Sequence, residues 1–226
     1  MVLVSLVASC HTRAAGNAKQ DSVRSVVTKD SIDEFWDWFV SNEKRLRAIQ
    51  VDSSQTLSQI GEHARKIDSG LAIEYEPPKN GIINVTVSAD GNRDLFPLVQ
   101  RIVDKAPKLE GWNFFAFRQR VPMKGKTLKM EGLELNPEKM KFFPLPSGDS
   151  LDIIIYANNV TDDNFNQMAY ASLLLVDNIL GEYDCVKKVR KYDIHNMPTS
   201  KEQLKGVMPL LDLPDYVDNF HKSIHH

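Results

Sequence analysis

The chain has 226 residues, 42% of them hydrophobic and 26% charged, which are the proportions of a globular protein able to bury a core and exclude wholesale disorder. Its 28 Lys and Arg nearly balance its 30 Asp and Glu, and a formal charge of -2 leaves no basic footprint, so no nucleic-acid partner is expected. Two cysteines, Cys10 and Cys185, exclude a disulfide framework, and with six scattered histidines they make no structural zinc motif, so no cofactor is expected.

The first ten residues form an apolar run that ends in Val7-Ala8-Ser9-Cys10. This resembles the lipobox of bacterial lipoproteins, in which small residues admit a signal peptidase and the new N-terminal cysteine is acylated. The resemblance implies a lipid on Cys10, a membrane as partner and a place in the cell envelope. The polar, aperiodic stretch from His11 to Lys29 suits a tether. No Lys or Arg precedes the run, and Val2 to Ala8 is short for a signal core; a start codon further upstream would account for both. The alternative is a cytoplasmic protein with an unmodified N-terminus. No other run approaches the ~20 apolar residues of a spanning helix. We expect a signal and tether over 1–30 and one α+β domain with a single core over 31–226.

Ser31 with Glu34 has capping-box spacing and opens a helix whose apolar face is Ile32, Phe35, Trp36, Phe39, Leu46 and Ile49. Trp36 and Trp38 cannot share that face, so one belongs in the core and the other is partly exposed. A second helix follows from about Ser54 to Asp68 and stops at Gly70. Leu71, Ile73 and Tyr75, then Ile83, Val85 and Val87, alternate with polar residues as the two strands of an antiparallel hairpin, with Pro77 to Gly81 as the turn.

After a turn at Asp90-Gly91, Pro97 sits in the first turn of a helix that ends before Pro107. Trp112 to Phe117 is apolar on both faces and predicts a central strand covered on two sides. Short strands are expected around Leu128, Leu133 and Phe142, and a buried strand over Leu151 to Tyr156. A helix capped by Asp162 or Asp163 runs to Gly181, and Tyr183 to Ile194 reads as a lysine-guarded edge strand. One or two short helices close the chain, and no repeat of fixed period is visible. The sum is an α+β fold: a mostly antiparallel sheet of about five to seven strands with helices mainly on one face.

Asp90-Gly91, Phe96-Pro97, Ala106-Pro107, Gly111-Trp112 and Phe117-Arg118, with Leu180-Gly181-Glu182-Tyr183-Asp184 further on, resemble a group of bacterial α+β proteins of unknown function. The resemblance covers roughly Leu71 to Ile194. It implies a fold and carries no reaction or catalytic residue with it.

Asp90, Asn92 and Asp94 have the spacing that opens a calcium loop, but Leu95 stands where the loop needs glycine and Arg101 where it needs a bidentate Glu. A capped strand-to-helix turn explains the same residues. Arg118 and Arg120, two apart on one strand, with Lys124 and Lys126 nearby, are the candidate ligand-binding residues, toward an anion. Cys185, His195 and Asp193 are the types a nucleophilic hydrolase uses, yet no G-x-S-x-G elbow accompanies them, and His63 lacks an H-E-x-x-H partner. No catalytic residue is assigned. The sequence therefore leads to a tethered, non-enzymatic domain that binds a protein or small ligand, with a cytoplasmic partner-binding protein or a hydrolase as alternatives.

Overall fold

The computed structural model describes residues 29–48, 53–130 and 132–224. Cys10 and its flanking motif lie outside them, as does the expected core residue Ile49.

Helices α1 (Lys29–Ala48) and α2 (Ser53–Arg65) open the fold as a helical hairpin. Ile32, Phe35, Trp36, Phe39 and Leu46 of α1 are all buried, as the helical spacing requires. Trp36 is the core tryptophan and donates its indole N–H to the Ile102 carbonyl at 2.8 Å. Trp38 is half-buried and stacks on His63 of α2, ring centroids 3.7 Å apart.

Strands β1 (Ala72–Lys79) and β2 (Ile82–Ser88) pair antiparallel. The turn between them is Asn80-Gly81, both at positive φ (54° and 79°), which is the tight hairpin chemistry of an Asn-Gly pair. Pro77 and Pro78, expected in the turn, instead lie within β1, where an irregular register and an edge position tolerate their missing N–H groups. Helix α3 (Phe96–Asp104) then crosses to β3 (Trp112–Ala116), parallel to β2, giving a sheet of order β1-β2-β3. The expected central strand over 112–117 is corrected by this order: β3 is an edge strand. Trp112 faces the core, whereas Asn113 is exposed and Phe115 only half-buried. An apolar residue on the outer face had signalled a covering layer that no described residue supplies.

A two-stranded ribbon, β4 (Leu128–Met130) and β5 (Leu133–Leu135), precedes the second main sheet. Strands β6 (Lys141–Ser147) and β7 (Ser150–Ala157) pair antiparallel, helix α4 (Phe165–Leu180) and the short α5 (Glu182–Lys187) cross over, and β8 (Lys191–Asn196) returns parallel to β7. The stretch read as one edge strand from Tyr183 is thus half helix, because Gly181 restarts a helical turn that buries Glu182 and Cys185. A short β9 (Met208–Pro209) adds to β6, and α6 (Leu213–Ile224) closes the fold, with order β8-β7-β6-β9.

The fold is α+β with mainly antiparallel pairing, as expected. It has two main sheets where one was expected, and its buried side chains form two clusters where one core was expected. One holds α1, α2, α3 and the first sheet; the other holds α4, α6 and the second. The two sheets repeat one plan: an antiparallel hairpin, a helical crossover and a parallel strand. Ile83, Val85, Val87 and Ala89 at the centre of the first match Leu151, Ile153, Ile155 and Ala157 in the second, all buried. The sequence hid this repeat because only the apolar spacing is shared; the crossovers differ in length and in residues.

Candidate functional site

The two units meet where β2 ends. The backbone turns through Asp90 (φ 48°) and Gly91 (φ 77°), and the Asn92 side chain accepts from the Asp94 N–H at 3.1 Å. That turn aims the N–H groups of Ala89 and Gly91 inward, where Oε1 of Glu182 accepts both, at 3.0 and 3.1 Å. Oε2 of the same carboxylate accepts from the Arg118 N–H at 3.2 Å. Glu182 is fully buried, so a charge at the start of α5 fills a backbone pocket built by the other unit.

β3 stops at Ala116, and the segment after it carries both candidate arginines across the joint. Arg118 places Nε 2.6 Å from Asp177 of α4, and its Nη1 lies 3.0 Å from the Ser88 hydroxyl, 3.5 Å from Asp90 and 3.6 Å from Glu74. Burial works against the charge on Arg118, but Asp177, Glu182 and Glu74 hold its guanidinium above the ordinary range. Burial pushes the Asp177 carboxyl up, against the pull of Arg118. Glu74 shifts in the same direction and for the same reason, although half of its side chain reaches solvent.

Arg120 points the other way. It donates to the Leu180 carbonyl at 3.1 Å and to Asp218 of α6 at 2.8 Å, and also pairs with Asp184. Lys188 lies 3.0 Å from both Asp184 and Asp218. Hydrogen bonding to Arg120, then to Lys188, holds the Asp218 carboxyl well below the usual carboxylate range. The two arginines thus sit two residues apart in chain but serve two different carboxylate clusters. Lys124 is exposed on a turn beyond them.

Of the acidic loop, Asp90 faces Arg118, Asn92 caps the turn, and the Asp94 amide is taken by that cap. Among the described residues no group of three or more His, Cys, Asp or Glu side chains is arranged to hold a metal. Cys185 is buried, with the Tyr192 hydroxyl donating to its carbonyl at 2.8 Å and lying 3.3 Å from its sulfur. Burial pushes this thiol up to about 12, so it is a neutral core side chain at neutral pH. His195 and Asp193, 2.9 Å apart, lie on the exposed side of β8.

The joint was only partly visible in the sequence. Arg118 stood out, whereas Glu182 and Asp177 did not; the one available signal was a Glu placed directly after the helix-stopping Gly181. Also unforeseen is a shallow groove of about 750 Å³ beside β3, lined by Pro107, Leu109, Trp112, Phe114 and Phe115 together with Lys108 and Glu110. The chain matches no protein-family model, no curated protein and no solved structure.

Proposed function

We propose that this chain is a membrane-tethered bacterial envelope lipoprotein whose folded part is a non-enzymatic binding domain, with the groove beside β3 as its contact surface. The observation that carries the reading is a division of chemistry. The arginines and carboxylates at the joint are spent on one another, whereas the groove presents the half-buried Phe115 and the partly open flank of Phe114 beside a strand edge, over the core ring of Trp112. Aromatic side chains at a concave surface contribute contact area at low entropic cost, and they do not activate water or a nucleophile. The lipobox-like Val7-Ala8-Ser9-Cys10 and the polar stretch behind it supply the anchor and the reach. Since a single acyl chain holds a protein only marginally, stable anchoring requires the multiple acylation of a processed lipoprotein cysteine.

Fractionation of cells expressing the full chain, with intact-mass measurement, tests the anchor: the protein is expected in the membrane fraction, with acyl mass on Cys10. Recovery from the soluble cytoplasm with Cys10 unmodified would sink that part of the reading and leave the cytoplasmic alternative.

A further inference from the structure

We propose that the free edge of β3 is a self-association surface, at which two copies of this chain pair their β3 strands antiparallel about a twofold axis through Phe114. The inference rests on reading the groove beside β3 as a contact surface, and it names what occupies it.

The first ground is how the edges are guarded. Unpaired strand edges invite pairing, and proteins blunt them with charge, proline, irregular register or shortness. The β1 edge carries Glu74, Glu76, two prolines and a break in register. The β8 edge carries Lys191, Asp193 and His195, and β9 is two residues long and ends in Pro209. Among the described strands with a free edge, the β4 and β5 ribbon with Lys129 and Glu134 included, only β3, Trp-Asn-Phe-Phe-Ala, has no charge, no proline and no bulge. It also holds the side chain, Phe115, whose outward placement the sequence pattern would assign to a covered strand.

The second ground is the phase of the hydrogen bonds. The Ile83 N–H donates to the Gly111 carbonyl at 2.9 Å and the Phe117 N–H to the Val87 carbonyl at 2.8 Å. In a parallel ladder this turns the backbone groups of 113 and 115 toward β2, and those of 112, 114 and 116 outward. Two of the outward groups are used locally: the Trp112 N–H donates to the Leu109 carbonyl at 3.2 Å, and the Ala116 carbonyl accepts from Gln119 at 3.1 Å. The Trp112 carbonyl, both groups of Phe114 and the Ala116 N–H have no partner among the described residues.

That remainder is self-complementary. With Phe114 opposite Phe114 of the second copy, the two exchange both of their hydrogen bonds, and each Ala116 N–H reaches the Trp112 carbonyl across the axis. The groups that would be surplus at the two ends are those already satisfied within the chain. An isologous contact needs this kind of symmetry, and a foreign strand does not. Asn113 of each copy then lies beside Phe115 of the other, which covers the half-buried ring. A net charge of -2 opposes the approach of two copies only slightly.

Sedimentation equilibrium on the full chain, from about 1 to about 200 µM, reads the association directly. The expected mass rises from 25.6 kDa toward twice that value. In Asn113→Lys/Phe115→Lys, each lysine sits opposite another across the axis, and the dissociation constant rises about tenfold or more. Leu145→Lys, at an exposed position on the other sheet, leaves association unchanged. Hydrogen exchange on the unmodified chain gives a readout independent of any variant: the Phe114 and Ala116 amides gain protection as concentration rises. A monomer at all concentrations, a dimer indifferent to the paired lysines of a folded variant, or protection of those two amides that does not depend on concentration would overturn the proposal. The last of these would place another segment of the same chain on the edge.

Discussion

Arg118 is the residue on which the joint turns, because one guanidinium is shared by Asp177, Ser88, Asp90 and Glu74. Its side chain is 23% exposed and that of Asp177 is 13% exposed, so part of the Coulomb attraction is screened, but removing one partner still leaves the other crowded and unpaired. Arg118→Ala is expected to cost about 2–3 kcal/mol at neutral pH, below the ~3–5 kcal/mol of fully buried pairs. The sign of the pH dependence follows from the carboxylates left behind. Asp177 and Glu74 already titrate above their ordinary values, and losing the cation raises them further. A carboxyl whose folded pKa is raised destabilises most when it must be charged, so the deficit shrinks as pH falls from 7 toward the ordinary carboxylate range. Urea unfolding of both proteins at pH 7 and 5 checks this; a deficit that grows on acidification would refute the assignment. The sequence pointed to Arg118 by its spacing from Arg120, yet spacing on one strand implied a shared face and a shared ligand. The strand ends at Ala116, so the two side chains part, and only the fold reveals that their partners are internal.

At the scale of elements, local signals were read well where one residue type enforces one geometry. Pro97 and Pro107 bracket α3, Gly181 ends α4, alternation located β2, and a continuous apolar run located β7. What the sequence could not show was which strand lies beside which. Both faces of Trp112 to Phe117 are apolar, which fits a central strand or an edge awaiting a partner, and pairing order alone decides between them. Helix α6 shows another nonlocal dependence. Apart from its apolar face, it is held to α5 and the segment after β3 through Asp218, which receives Arg120 and Lys188, while the His221 ring lies 2.8 Å from the Lys188 carbonyl. The Asp218 carboxyl is depressed from its ordinary 3.8, so its contribution is fully present above that value and is lost as pH falls through the lower folded value. Asp218→Asn is therefore expected to be less stable than the parent at pH 7 and to lose its disadvantage in acid, its stability falling less steeply between about pH 4 and pH 2. Thermal melts across that range, followed by hydrogen exchange in α6, read the effect; parallel acid limbs for the two proteins would remove Asp218 from the account.

At the scale of the molecule, two clusters of buried side chains share one chain, and their cooperation depends on the contacts between them. Besides the ion pairs of Arg118 and Arg120, three kinds cross the joint. Aromatic packing joins Tyr183 to Phe96 and Phe117, with the Lys187 ammonium 5.1 Å from the Phe96 ring centroid. Backbone contact joins Glu182 N–H to the Arg118 carbonyl at 2.9 Å, and fit is close enough that a Cβ at Gly181 would come within 3.0 Å of that oxygen. The third is the Glu182 carboxylate, which alone satisfies the N–H groups of Ala89, Gly91 and Arg118. Leaving a buried donor without an acceptor costs about 1–3 kcal/mol, so truncating Glu182 exposes the joint to a loss of about 3 kcal/mol or more while leaving each cluster's own packing intact. Glu182→Ala is therefore expected to separate the unfolding of the two units, turning one urea transition into two that differ between tryptophan fluorescence and far-UV circular dichroism. All three tryptophans, Trp36, Trp38 and Trp112, lie in the first unit, so fluorescence reports that unit alone. Glu182→Gln keeps one carbonyl acceptor at the same place and should hold the transitions closer together. If both variants unfold in a single transition coincident by the two probes, the carboxylate is not what couples the units, and the ion pairs of Arg118 and Arg120 with the aromatic contacts around Tyr183 carry that role instead.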